Sequence, residues 1–324
     1  MLVDTMRALL LLLFSIGFAY PQPPTVPQAS SVKVRILSTM LTDTTGVGEW
    51  GFAALIEVDG HRILFDTGAR PDTVANNLRD LKIDLSSVTD IILSHNHQDH
   101  TGGLLTLRRQ LAAAHPKALS RAYVASGAFW ARHSPDGNTN RNYLRSIKSA
   151  YEELGGTFIE IDKPRQILPA VWLTGPVRRI HNERNWSTNL RVQHPDGTLT
   201  EDNLPEDSSL VINTAKGLVV VSGCGHAGII NTLEQARREV RNAPIHAAIG
   251  GWHLFAASDD HLQWTAGKFK EFGIENFLGA HCTGIEAVYK LRQGTGLTRR
   301  QCAVGAVGGG FDLATGIAPG VIAR

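Results

Sequence analysis

Short apolar runs rich in β-branched side chains recur along this chain and alternate with stretches of helical period. Residues 32–37 and 52–58 read as strands, and Asp59 and Gly60 followed by 62–65 read as a tight turn and the second strand of a hairpin. Residues 73–81, behind Asp72 in the N-cap position, carry a helical period, as do 104–114, 143–154, 229–240 and 285–292. Further strands are expected at 88–93, 122–126, 157–161, 171–174, 209–213, 218–222, 245–249 and 274–278. The alternation predicts an α/β fold whose sheets are buried beneath helices.

The ends of the apolar runs carry the chemistry. The strand at 88–93 leads into Ser94, His95, Asn96, His97, Gln98, Asp99, His100, Thr101, Gly102 and Gly103. His95 and His97, two apart in extended backbone, project to one side. Asp99 and His100 follow as the chain turns, and the two glycines let it turn closely into a helix. Four potential ligands in six residues at a strand end point to a metal, because neutral imidazoles and carboxylates with a position left for water are what a hydrolytic zinc needs.

Two ions side by side need about six protein ligands, so other strand ends must contribute. The run at 218–222 ends in Gly223, Cys224, Gly225 and His226, where Cys224 reads as a thiolate ligand and His226 as a ligand or its close neighbour. The run at 274–278 leads to His281, a ligand candidate at the turn itself, and that at 245–249 leads to Trp252 and His253. His253 could be a ligand, a general acid or a pocket wall. Asp66, where the first hairpin ends, reads as a hydrogen-bond partner that orients a ligand histidine. Residues 178–186 are charged and aromatic, either a solvated loop or one that meets substrate near the metals.

Composition narrows the setting. The 324 residues are 43% hydrophobic and 19% charged, enough for one large α/β domain or two small ones. A formal net charge of +2, with basic doublets scattered rather than clustered, gives no footprint for nucleic acid. Arg7 precedes a leucine-rich run too short for a comfortable membrane span, so residues 1–19 read as a secretory signal peptide and 20–30 as a Pro-rich linker. The folded part is therefore expected to be exported, with an uncleaved N-terminal anchor as the alternative and no other membrane segment. Three cysteines in so long a chain do not make a disulfide scaffold.

These motifs resemble the metallo-β-lactamase superfamily, whose His-x-His-x-Asp-His signature is matched by His95, His97, Asp99 and His100. Asp66, Thr67 and Gly68, the Gly-Cys-x-His-x-Gly from Gly223, the Gly-Gly-x-His-Leu from Gly250 and the His-Cys-Thr-Gly from His281 resemble its dihydropterin-aminobenzene-phosphate synthase-like branch. The resemblance implies an αββα sandwich, two mixed β-sheets flanked by helices. It would be a single domain over 31–324, with pseudo-repeated halves at about 31–200 and 201–324. It also implies a dinuclear site, usually Zn2+. His95 and His97 would serve one ion, and Asp99, His100 and His281 the other, with Cys224 where most members carry a bridging aspartate. Most members have a histidine just before the hairpin that here begins at Ser209, but this chain has Glu206, Asp207 and Ser208. The third ligand of the first ion thus falls to His226 or Asp207.

The implied activity is hydrolysis of an ester, lactone, amide or phosphodiester by a metal-bound hydroxide. Asp99 would orient the nucleophile and His253 would protonate the leaving group, while Trp252, Arg184 and Trp186 would line the pocket of a small-molecule substrate. Helix N-termini after Gly102, Gly228 and Gly284 would suit an anionic one. Three rivals are a transferase condensing a pterin with an aminobenzene phosphate, a diiron oxygen-reducing enzyme and a non-catalytic metal-binding protein. His97 disfavours the second, since such enzymes typically carry glutamate there.

Overall fold

The computed structural model describes residues 26–134, 141–186 and 189–323; the expected signal peptide and most of the linker lie outside the described residues. Two mixed sheets pack face to face with helices on both outer sides, the αββα sandwich. Across the first sheet the strands run Gly316–Ala318, Gly310–Asp312, Val32–Ser38, Ala53–Val58, His61–Phe65, Asp90–Ile92, Arg121–Ala125 and Thr157–Ile161. Across the second they run Cys302–Val304, Asn276–Gly279, Ile245–Gly250, Gly217–Ser222, Ser209–Thr214, Val171–Leu173 and Arg165–Leu168.

The period of two in each strand divides its side chains between two cores. Val219, Val221, Ala247 and Ile249 point between the sheets, where they meet Ile56, Ile63, Phe65 and Ile92 of the first sheet. Leu218, Val220 and Ala248 point the other way, against Ile229, Ile230 and Leu233 of the helix Ile229–Glu239 and Phe269 of the helix Asp259–Glu271. On the far side, Leu64 and Ile91 pack beneath Val74, Leu104 and Leu107. Strands covered on both faces lose the apolar-polar alternation and become continuous hydrophobic runs.

The two sheets exchange strands. Arg165–Leu168 and Val171–Leu173 join the second sheet, while Gly310–Asp312 and Gly316–Ala318 return to the first by pairing along Val32–Ser38. The sheets therefore do not divide at residue 200. Cys302–Val304 and these two C-terminal strands have three residues each, too few to show a period. The helix Asp259–Glu271 was not expected either; Ser258 caps it, accepting from the His261 amide at 3.3 Å. Asp72 does precede the helix Thr73–Asp80, but its side chain makes no capping bond.

Parallel pairing decides where the site lies. His61–Phe65 and Asp90–Ile92 run parallel in one sheet, and Gly217–Ser222, Ile245–Gly250 and Asn276–Gly279 run parallel in the other. Their C-terminal ends carry Asp66, His95, Cys224, His253 and His281 to one edge of the sandwich, the usual place for a site in an α/β fold.

A candidate metal centre at the sheet edge

The first motif is fixed by Asp66. Its Oδ1 accepts from the Ser94 amide at 2.7 Å, and its Oδ2 accepts from the Ser94 hydroxyl at 2.8 Å and from His100 Nδ1 at 2.7 Å. The single hydroxyl proton of Ser94 is thereby committed. His95 Nδ1, 2.9 Å from Ser94 Oγ, must then carry the proton of that contact, which leaves the lone pair on Nε2. The same logic fixes His226, whose Nδ1 donates to the Asn185 carbonyl at 2.5 Å. Three imidazoles are thus held in the tautomer a ligand needs.

Their free atoms converge. His95 forms ring contacts with His97, His100 and His226 at centroid distances of 4.6, 4.3 and 4.8 Å, and His97 lies 5.1 Å from His226. His95 Nε2 and His226 Nε2 are buried without a hydrogen-bond partner. Asp99 Oδ2 lies 3.2 Å from His281 Nε2 and 3.7 Å from His100 Nε2, which is itself 3.1 Å from Cys224 Sγ. Donor atoms of Asp99, His100, Cys224 and His281 all lie within 4.8 Å of one another, as do those of His95, His97 and Asp99 and those of His95, Cys224 and His226. Orphaned buried nitrogens aimed at a carboxylate and a thiol fit a cation, since without one each would forfeit its solvation.

The electrostatics agree. Burial, then the neighbouring imidazoles, pushes His95 and His226 well below the ordinary histidine range, and burial brings His97 to about 4. All three are neutral near pH 7, as ligands must be. Burial works to raise Asp99, but His100 and His281 outweigh it and hold the carboxyl well below its usual range. His281 differs: burial works to lower it, yet Cys282 and Asp99 lift it to about 10, so a cation held there would have to displace its proton. Burial, then Cys282, pushes the Cys224 thiol up, so a thiolate there calls for a cation beside it.

Of the two candidates for the first ion's third ligand, His226 is the one among the imidazoles. Asp207 belongs to none of these groups; its Oδ2 accepts from the Ala227 amide at 2.8 Å, and its Oδ1 is buried without a hydrogen-bond partner. Glu206, Asp207 and Ser208 act as a staple between the two halves of the site. Glu206 Oε1 accepts from Asn96 Nδ2 at 2.6 Å, and the Ser208 amide donates to the Ser94 carbonyl at 3.1 Å. Arg132, buried, bridges Glu206 and Asp202 at 2.6 and 2.7 Å. Sequence reading missed Asn96, Glu206, Arg132 and Asn185, whose partners lie tens of residues away.

The expected pocket residues need correction. Trp252 is fully buried in the core between the second sheet and its helices, where its apolar ring is worth most. Arg184 and Trp186 both turn to Glu201, each at 2.8 Å, and it is the carbonyl of Asn185 between them that reaches the site. The N-terminus after Gly228 is not free for an anion either: the Glu183 carboxylate accepts from the amides of Ile230 and Asn231 at 3.1 and 2.8 Å. The open side instead shows the partly exposed His97, Asp99 and His253, with two exposed aromatics beside them. Trp50, 48% exposed, stacks edge-on to His281 at 5.0 Å, and Phe255, 52% exposed, contacts both Trp50 and His253. Trp50 stands just ahead of the strand Ala53–Val58 and Phe255 two residues past His253, and their aromatic character was the only signal the sequence held.

Comparison with known proteins gives the family. The sequence pattern of the metallo-beta-lactamase superfamily matches residues 51–167. The chain is 30% identical over 249 residues to the 7,8-dihydropterin-6-methyl-4-(beta-D-ribofuranosyl)-aminobenzene-5'-phosphate synthase of Methanocaldococcus jannaschii, covering 73% of this chain and 82% of that one. Among solved structures it is similar to Tm1679, described as a metal-dependent hydrolase of the beta-lactamase superfamily, with TM-score 0.65 and 28% identity over 82% of this chain and 93% of the other. The metallo-beta-lactamase fold protein YhfI from Bacillus subtilis shares the fold, with TM-score 0.50 and 13% identity over 82% and 92% of the two chains. The chain belongs to the metallo-β-lactamase superfamily, whose fold generally binds metal ions.

Proposed function

We propose that this superfamily member is a dinuclear zinc hydrolase of a small-molecule substrate, working outside the cytoplasm after loss of its leader. The observation that carries the reading is the convergence of two ligand groups that share Cys224: His95 and His226 with the His97 ring beside them, and Asp99, His100 and His281. With Cys224 held by the second ion, that ion has four donors, and the three imidazoles leave the first a coordination position for water. Zinc bound there would act as a Lewis acid and lower the pKa of a bound water towards 7.

The chain's own residues supply the rest. Asp66 and Ser94 lock His100 and His95, and the Asn185 carbonyl locks His226, so that these three imidazoles need not reorient during turnover. Asp99, kept ionised and partly exposed, accepts a hydrogen bond from the attacking water and orients it. His253, 4.5 Å from the His226 ring on the solvent side, donates a proton to the leaving group. Trp50 and Phe255 form apolar walls that seat the substrate.

A screen of the zinc-loaded chain against ester, lactone, amide and phosphodiester substrates tests the reading, and turnover by wild type that His97→Ala lacks is the expected result. A second reading rests on the 30% identical relative, which is a synthase: the same edge would join a pterin to an aminobenzene phosphate. Formation of a condensation product by purified protein that hydrolyses nothing in the screen would replace the first reading with the second.

A further inference from the structure

One buried cluster is left once these two ligand groups are assigned. Cys282 Sγ lies 3.2 Å from Cys224 Sγ and accepts from the His253 amide at 3.2 Å. Both cysteines are free thiols and are buried, Cys282 completely. The donor atoms of Cys224, Cys282 and His253 lie within 4.8 Å of one another. His253 Nδ1 is buried without a hydrogen-bond partner, and the residue is held in left-handed backbone at φ +47. Two packed thiols need neither feature. An orphaned imidazole nitrogen kept beside two sulfurs, at a cost in backbone strain, is what a ligand position requires.

We propose that Cys224, Cys282 and His253 form a further metal position, selective for a thiophilic ion such as Cd2+ or Cu+ and sharing Cys224 with the cluster described above. Two sulfurs and one imidazole with no oxygen donor exclude hard cations. Because the position withdraws His253 and competes for Cys224, filling it inhibits whatever reaction the edge performs. The proposal does not depend on that reaction being hydrolysis.

The test is a titration of the full, reduced, metal-free chain with Cd2+, following the thiolate-to-cadmium charge-transfer band and counting bound ions by native mass spectrometry. Wild type is expected to give a band about twofold stronger than Cys282→Ser, since two Cd–S bonds become one. His253→Ala should lose the same equivalent of cadmium, and Cys302→Ala, at a buried cysteine outside these ligand groups, should keep both band and equivalent. Cys282→Ala, which brings no hydroxyl into the core, gives the same reading should the serine variant fail to fold. Equal bands and equal stoichiometry in wild type and either Cys282 variant overturn the proposal, as does undiminished reactivity of Cys282 with a thiol reagent in the cadmium-loaded, folded protein. Failure of the hydrolytic reading would instead show as an inactive zinc-loaded chain with this band intact.

Discussion

Asp66 shows how much one side chain can determine. It accepts three hydrogen bonds from Ser94 and His100 while held at φ +56, a conformation that aspartate tolerates better than most residues. Asp66→Asn keeps the shape but replaces one acceptor with a donor, so His100 loses its fixed tautomer. Metal affinity is expected to fall by about 10- to 100-fold with little loss of secondary structure, as isothermal titration with zinc and circular dichroism would report. Gly223 serves the same centre by absence. A Cβ there would lie 2.1 Å from Ser94 Oγ and 2.4 Å from Asp66 Oδ2. Gly223→Ala is therefore expected to cost about 1–3 kcal/mol in chemical denaturation and to weaken metal binding with it. Unchanged stability and affinity would mean that the Asp66–Ser94 pair can shift without consequence. The candidate ligands His95, His97, Asp99 and His100 were legible because their spacing lies within one strand end. Asn185 and Glu206 were not, because what they hold, His226 and Asn96, is brought to them by the fold across 41 and 110 residues.

At the scale of elements, the stretch 178–186 turns out to be a cap rather than a substrate loop. Glu183 covers the N-terminus of the helix Ile229–Glu239, and the Ile180 and His181 amides donate to Asn231 Oδ1 at 2.9 and 2.7 Å. Gly228, at φ +100, leaves the room that the Glu183 carboxyl fills; a Cβ would come within 2.3 Å of it. Burial is the main influence on Glu183 and lifts it from 4.5 to about 7, against the pull of the helix amides. Between those two values the folded chain holds a proton that the unfolded chain has released. The contribution of this carboxyl to stability is thus fullest below about pH 4.5, falls as pH rises to about 7 and is constant above. Glu183→Gln removes the charge, so its stability relative to wild type should rise across that window, by roughly 3 kcal/mol at most. Denaturation of both proteins at pH 5 and pH 8 checks it, and a difference that does not change with pH would show that the carboxylate is stabilised as well in the fold as in water.

For the molecule as a whole, the C-terminal strands close the sandwich. Phe311, 3% exposed, sits in the core between the sheets, on a strand that pairs with Val32–Ser38 from the other end of the chain. Phe311→Ala is expected to cost about 3–5 kcal/mol, measured by denaturant titration, although the residue is far in sequence from every ligand. A bound metal would link the two halves in a second way. Its donors come from 95–100 and from 224–281, so an ion that binds only the folded chain stabilises both sheets together. Chelation should therefore lower the melting temperature, and zinc should restore it; the same melting curve with and without chelator would speak against an ion bound across the two halves.

The sequence by itself determined the layers and the position of the chemistry. Runs of apolar residues long enough to be buried on both faces, each stopping at Gly, His, Cys or Asp, already specify strands whose ends carry ligands. Local spacing is sufficient there because strand period and turn geometry act over a few residues. The tertiary structure alone decided which distant groups meet. It placed His226 rather than Asp207 among the first histidines, buried Trp252, turned Arg184 and Trp186 to Glu201, and set Cys282 against Cys224. Such choices depend on parallel pairing between strands far apart in the chain and on competition for buried hydrogen bonds, neither of which leaves a local pattern.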